Sequence, residues 1–273
     1  MSDAPRLARV LVAIDASPLS LTALEAAATL ARSVGAALTG VFVEDVNLSR
    51  LAGHPAATSI SLVGGLRRDT EHRLLENALK AQVTLARRAF DEVAEELGEG
   101  AEFAVRRGRV EAELLAAAEE ADLVLVGSYG RVETLTPRRR LGSTARAVVE
   151  RATRPVLVIR HAAPPTQPVA VLFDGSPAAR RALVLAARLA AAAGARLEVI
   201  TLAGDAATAD QREKEARALI APVAVAIEGL PVATADAGRV AAEAAGHPLS
   251  LLVLPETARH LLDVLHCSTV VVP

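Results

Sequence analysis

The sequence predicts an α/β protein built from two tandem five-stranded parallel sheets with helices on both faces. Three observations carry that expectation. Short, continuously apolar segments such as Arg9–Ile14 and Val169–Phe173 alternate with longer helical patterns, as buried parallel strands require. The chain also repeats itself: VLVAIDASPLS from Val10 and VAVLFDGSPAA from Val169 open two stretches that align without a gap, Asp15 with Asp174, Ser17 with Ser176, Pro18 with Pro177, Gly35 with Gly194 and Leu38 with Leu197. Third, 52% of the 273 residues are hydrophobic and only 2% aromatic, so a large core is available and it must be aliphatic.

The elements of the first copy follow in order. Arg9–Ile14 is a strand. Ser17 offers an N-cap hydroxyl and Pro18 a pre-set first helical residue, so a helix starts there and runs to about Val34, where Gly35 supplies a left-handed stop. Leu38–Val43 is strand two. A long connection, Glu44–Arg68, leads into a polar-faced helix from about Asp69 to Leu97. Glu102–Arg106 reads as strand three, Val110–Glu120 as helix, Asp122–Gly127 as strand four, Ser143–Ala152 as helix and Pro155–Arg160 as strand five. HAAPPTQP, residues 161–168, carries three prolines and reads as a linker between a first domain, 1–160, and a second, 169–273. Strands of the second copy are expected near Val169–Phe173, Leu197–Leu202, Val223–Ile227, Ser250–Leu254 and Thr269–Val272. A further repeated motif pairs GRVEAE from Gly108 with GRVAAE from Gly238.

Composition excludes several classes. A net charge of −2 and the scarcity of aromatics argue against a nucleic-acid surface. The apolar runs are broken by arginine and fall short of the roughly 20 residues of a membrane span. The N-terminus lacks the basic and apolar regions of a signal peptide, and Cys267 has no cysteine to pair with, which suits a reducing compartment. A soluble cytoplasmic protein is the expectation. The six histidines form no paired metal motif, and no Ser-His-acid set can be assembled. Neither a catalytic nor a metal site is therefore assigned.

In open parallel sheets ligands bind at the carboxyl ends of the strands, where the winding reverses. Strand one ends at Asp15 and strand four at Gly127. The stretch LVGSYGRVETLTPRRRLGSTAR, Leu125 to Arg146, would then hang over the crevice, with Gly142-Ser143 opening a helix whose free amides suit an anion. Each of these residues also has a plain reading. Asp15 can cap the turn into the first helix, as its repeat Asp174 would. Arg138–Arg140 can be a solvated charge run rather than phosphate ligands. Glu44–Arg68 is long enough for a lid, but Gly64 and Gly65 within it lack the context of a P-loop.

The opening VLVAIDASPLS, the GAALTGVFVED around strand two and the glycines after strand four together resemble the universal stress protein family, over nearly the whole chain and as two copies. The resemblance implies the strand order 3-2-1-4-5 in each copy. It implies an adenine nucleotide in the binding members, and pairing through the last strands, which a tandem chain would make internally as a pseudo-dimer. The nucleotide-binding loop of that family reads Gly, two residues, Gly, nine residues, then Gly with Ser or Thr. Here Gly127, Gly130 and Gly142-Ser143 match its ends, but eleven residues, Arg131 to Leu141, separate Gly130 from Gly142. Carried over by position, Asp15 would face the adenosine and Val43 would meet adenine through its backbone. Gly127, Gly130, Gly142, Ser143 and the Thr144 amide would hold ribose and phosphates. The second copy reads LPETARHLLDVLHCSTVVVP after strand four, without a glycine, and is expected to be a structural partner that lacks the site.

The resulting expectation is a sensor or regulator that binds ATP or another adenine nucleotide, with or without Mg2+, in its first domain. It would have at most slow ATP hydrolysis, and it would serve an unidentified regulatory protein with internal pairing of its domains or a further homodimer. The competing reading is a stress scaffold or interaction module without nucleotide. An adenylate-transferring enzyme is disfavoured because AIDASPLS lacks the Ser-Gly-Gly loop such enzymes carry.

Overall fold

The computed structural model describes residues 7–46, 68–130, 141–161, 168–221, 223, 227–232 and 251–273. Arg138–Arg140, most of the Glu44–Arg68 connection with Gly64 and Gly65, linker residues 162–167 and the motif at Gly238 lie outside the described residues.

The first half runs β1 (Arg9–Ala13), α1 (Pro18–Val34), β2 (Ala37–Asp45), α2 (Arg68–Ala94), β3 (Ala101–Gly108), α3 (Val110–Ala118), β4 (Leu123–Gly127), α4 (Ser143–Arg151) and β5 (Val156–Ile159). The second half runs β6 (Val169–Phe173), α5 (Pro177–Ala193), β7 (Leu197–Leu202), α6 (Ala206–Ile220), β8 (Ile227–Val232), β9 (Leu251–Pro255), a 3-10 helix (Glu256–Asp263) and β10 (Thr269–Val272).

Local chemistry sets the first helix of each half. Ser17 Oγ accepts from the Ser20 amide at 3.2 Å, and Ser176 Oγ accepts from the Ala179 amide at 3.1 Å, so each N-cap satisfies one orphan donor of the first turn. Gly35 and Gly194 end these helices with φ of 67° and 63°. The gapless repeat reappears as strand register: Val10 lies opposite Leu38, and its counterpart Val169 lies opposite Leu197.

The sheet order is β3-β2-β1-β4-β5-β10-β9-β6-β7-β8. Each half thus has the order 3-2-1-4-5. The two runs of five join through their last strands, β5 and β10, and are continuous in one ten-stranded sheet. All described pairings within a half are parallel, whereas β5 and β10 pair antiparallel, with Leu157 opposite Val270. Val156, Leu157, Val270 and Val271 are all buried, so an isolated half would present an apolar strand edge.

One face of the sheet carries a core shared by both halves, in which α1 and α5 pack small residues such as Ala27, Ala31, Ala182 and Ala186. On the other face α3 and α4 cover the first half, and the 3-10 helix covers the second. Cys267 is buried there as a small hydrophobe, and burial pushes its thiol pKa up.

One strand is displaced from its expected place: β8 is Ile227–Val232 rather than Val223–Ile227. It is an edge strand and contains Pro231, a residue that sequence patterning takes as a strand breaker but that edges tolerate.

Truncation after Arg160 removes the partner of β5. The shortened chain should elute as a dimer or aggregate on a sizing column; a well-behaved monomer would contradict the ladder's importance.

Candidate functional site

β1 and β4 are neighbours, but their following helices leave to opposite faces: α1 joins the shared core and α4 the opposite cluster. A crevice necessarily opens between them. It holds a cavity of about 440 Å3, within the roughly 300–1,000 Å3 of small-molecule sites.

Every residue expected at a site lines this cavity: Asp15, Val43, Gly127, Gly130, Gly142, Ser143 and Thr144. Each arrives by a different route. The Asp15 Oδ1 atom accepts from the Ser17 amide at 2.9 Å, and in the second half Asp174 Oδ1 does the same for the Ser176 amide. The capping role therefore accounts for one oxygen of each carboxylate. The other oxygen of Asp15 faces Gly130, where an added Cβ would lie 2.8 Å from Oδ2. At Gly127 an added Cβ would lie 3.1 Å from the Leu19 Cβ, so this glycine lets α1 approach β4 closely.

Val43 exposes its backbone. The Ile14 amide donates to the Val41 carbonyl at 2.9 Å, and the β1–β2 register ends at Ala13 opposite Val41. Backbone groups two residues apart on a strand point to the same side. The polar groups of Val43 thus face the place where β1 has turned away, while β3 continues pairing on the other side through Asp45 opposite Gly108.

The Gly130-to-Gly142 connection is closed at its base. Gly142 donates its amide to the Ser128 carbonyl at 2.8 Å, and Ser128 donates its own amide to Ile159 at 2.8 Å. Gly142 therefore serves closure, with its amide engaged within the protein. The anion-suited donors are the first-turn amides of α4 at Thr144 and Ala145, since the Arg146 amide already bonds to the Gly142 carbonyl.

Several lining residues escaped sequence reading. Asp45 was missed because β2 extends two residues past the expected Val43. Tyr129 sits inside the glycine motif without belonging to it. Leu79 and Gln82 come from α2, and Val110 and Leu114 from α3, positions that only tertiary packing brings to the crevice. The walls are largely aliphatic, which suits a flat apolar group, and the α4 N-terminus suits an anion. Among the described lining residues Asp15 and Asp45 are the only charged side chains.

A family model, the universal stress protein family, matches residues 7–160. The chain belongs to the universal stress protein family. The protein Universal stress protein MJ0531 of Methanocaldococcus jannaschii is 29% identical to it over 154 residues, covering 56% of this chain and 81% of the relative. A universal stress protein from Archaeoglobus fulgidus shares the fold with a TM-score of 0.66 and 17% identity, over 97% of this chain and 95% of that one. A functionally unknown protein, PA1789 from Pseudomonas aeruginosa, does so with a TM-score of 0.60 and 16% identity, over 97% and 92%. At these identities the solved structures speak for the α/β fold alone.

The turn beneath the site is strained. Ala16 has φ of 57°, the left-handed region, where the repeat has Gly175 with φ of 81°. A Cβ in that region costs about 1–2 kcal/mol, partly offset by the entropy glycine loses on folding. Ala16→Gly should therefore raise stability by up to about 1 kcal/mol, read as a melting point higher by a few degrees. A lower melting point would show that the Cβ of Ala16 makes contacts outweighing the strain.

Proposed function

We propose that this universal stress protein binds an adenine nucleotide, ATP or AMP, in the cavity of a first domain spanning residues 1–160. It acts in the cytoplasm as a sensor or regulator, with residues 161–168 as linker and 169–273 as a partner domain without a nucleotide site. Among the described residues, no helix is long and apolar enough to cross a membrane. The observation carrying the reading is convergence: residues separated by more than a hundred positions, from Asp15 to Thr144, surround one cavity at the winding switch. In this reading the aliphatic walls take the base, the Val43 backbone meets its polar edge, and the α4 amides take phosphate. Ser143 and Thr144 stand at that helix start.

The acidic side chain of Asp15 in the described lining bears on both readings. With the Asp15 carboxylate beside it, a bare triphosphate is repelled, so ATP should enter as its Mg2+ complex while AMP depends less on metal. The same observation supports the second reading, a scaffold that takes no nucleotide.

Calorimetric titration with ATP and AMP, and mass spectrometry of nucleotide released on denaturation, separate the two. Heat of binding or released nucleotide is expected; neither at millimolar ATP would favour the scaffold. Gly130→Ala drives a methyl into the Asp15 carboxylate and should weaken binding at least tenfold; unchanged affinity would put the site elsewhere. Chelating Mg2+ should weaken ATP binding more than AMP binding, and equal loss would contradict the charge argument.

A further inference from the structure

The outer wall of the cavity is α4, and the other half of the chain holds α4 from outside. Arg146, in its first turn, places Nη2 2.9 Å from Asp263 Oδ1, at the end of the 3-10 helix. The adjacent Leu262 is buried in the same cluster as Ala145, Val148 and Val149 of α4. The Leu262 carbonyl accepts from Arg160 Nη2 at 2.6 Å. Arg160 follows β5, and its own amide donates to Ser268 Oγ at 3.2 Å. Burial holds the Arg160 pKa below its ordinary value while the Asp263 carboxylate pulls it back up, and the carbonyl of the preceding Ile159 accepts the Ser128 amide at 2.8 Å. A short chain of contacts therefore runs from the second half to both sides of the glycine loop.

The sequence position of the brace is informative. The 3-10 helix follows β9 as the glycine loop and α4 follow β4, so it occupies the place where the second half would carry a cradle of its own. The segment lacks glycine and instead aims Leu262 and Asp263 at the first half.

We infer that Asp263 and Leu262 are positioning residues for the first half's cavity: they fix α4, and through it the affinity of the α4 N-terminus for a phosphate-bearing ligand. The choice of ligand rests on the nucleotide reading; the bracing does not. An ion pair whose side chains are about two-fifths exposed contributes modestly, so the effect should be graded rather than absolute.

The test uses the full chain with Asp263→Ala, Arg146→Asp, and the pair Arg146→Asp with Asp263→Arg. Two readouts are taken: hydrogen exchange at the amides of residues 146–149 without ligand, and calorimetry with ATP and Mg2+. Each single variant should speed exchange several-fold and weaken ATP binding about threefold to tenfold at nearly unchanged melting temperature. The charge-reversed pair should recover most of both. Unchanged exchange in the single variants would overturn the brace. Faster exchange with unchanged ATP affinity would overturn its coupling to the site. If the unaltered protein takes no ATP, the nucleotide reading and the coupling fall together, and exchange alone decides the brace.

Discussion

The candidate site depends on a pair of backbone hydrogen bonds at one residue. Ser128 gives its amide to Ile159 of β5 and accepts the amide of Gly142 on its carbonyl, each at 2.8 Å. The first bond keeps the chain on the sheet just past β4; the second brings the start of α4 back to the same point. The cavity, the placement of Ser143 and Thr144, and the distance from α4 to Asp15 follow from that closure. It also bears on the unusual length between Gly130 and Gly142. By chain entropy, closing eleven residues rather than nine costs only about 0.2 kcal/mol more, whereas one buried hydrogen bond contributes about 1 kcal/mol. A connection two residues longer is therefore compatible with the same closure.

The ten-stranded sheet places that site within a larger mechanical frame. The antiparallel β5–β10 ladder covers two apolar edges at once and leaves β3 and β8 as the outer strands. β5 is also the strand to which Ser128 is tied, so the junction between halves and the base of the glycine loop share one support. The second half departs from the first in two places: between β7 and β8, where 24 residues stand for the 55 between β2 and β3, and after β9. Its turn at Asp174, its helix caps and its strand register still follow the first half. The second of these departures lies against α4, which makes sense if one half keeps a site and the other supports it.

Much of this was legible from the sequence, for local reasons. Ser17, Pro18 and Gly35 mark helix ends through interactions spanning only a few residues, and their repeats at Ser176, Pro177 and Gly194 say the same thing twice. The candidate site residues were named by position from the family resemblance, which rests on the strand-one end and the glycine motif after strand four, and the topology brings all seven to one cavity. Edge strands were harder: β8 carries Pro231, and β3 alternates between half-buried and exposed positions rather than forming an apolar run. Leu79, Gln82 and Leu114 reach the crevice only because α2 and α3 pack where they do, and no short motif encodes that. The Arg146–Asp263 contact spans 117 positions and is likewise a product of the assembled sheet.

The central claim is that the amides after β4 and at the start of α4 form a phosphate-binding cradle closed on Ser128. Amide NMR with added AMP and with Mg-ATP tests it most directly. The account predicts that the largest shifts fall on Gly127, Tyr129, Gly130, Ser143, Thr144 and Ala145, together with Val43. Shifts concentrated in the second half, or no shifts at millimolar nucleotide, would contradict it.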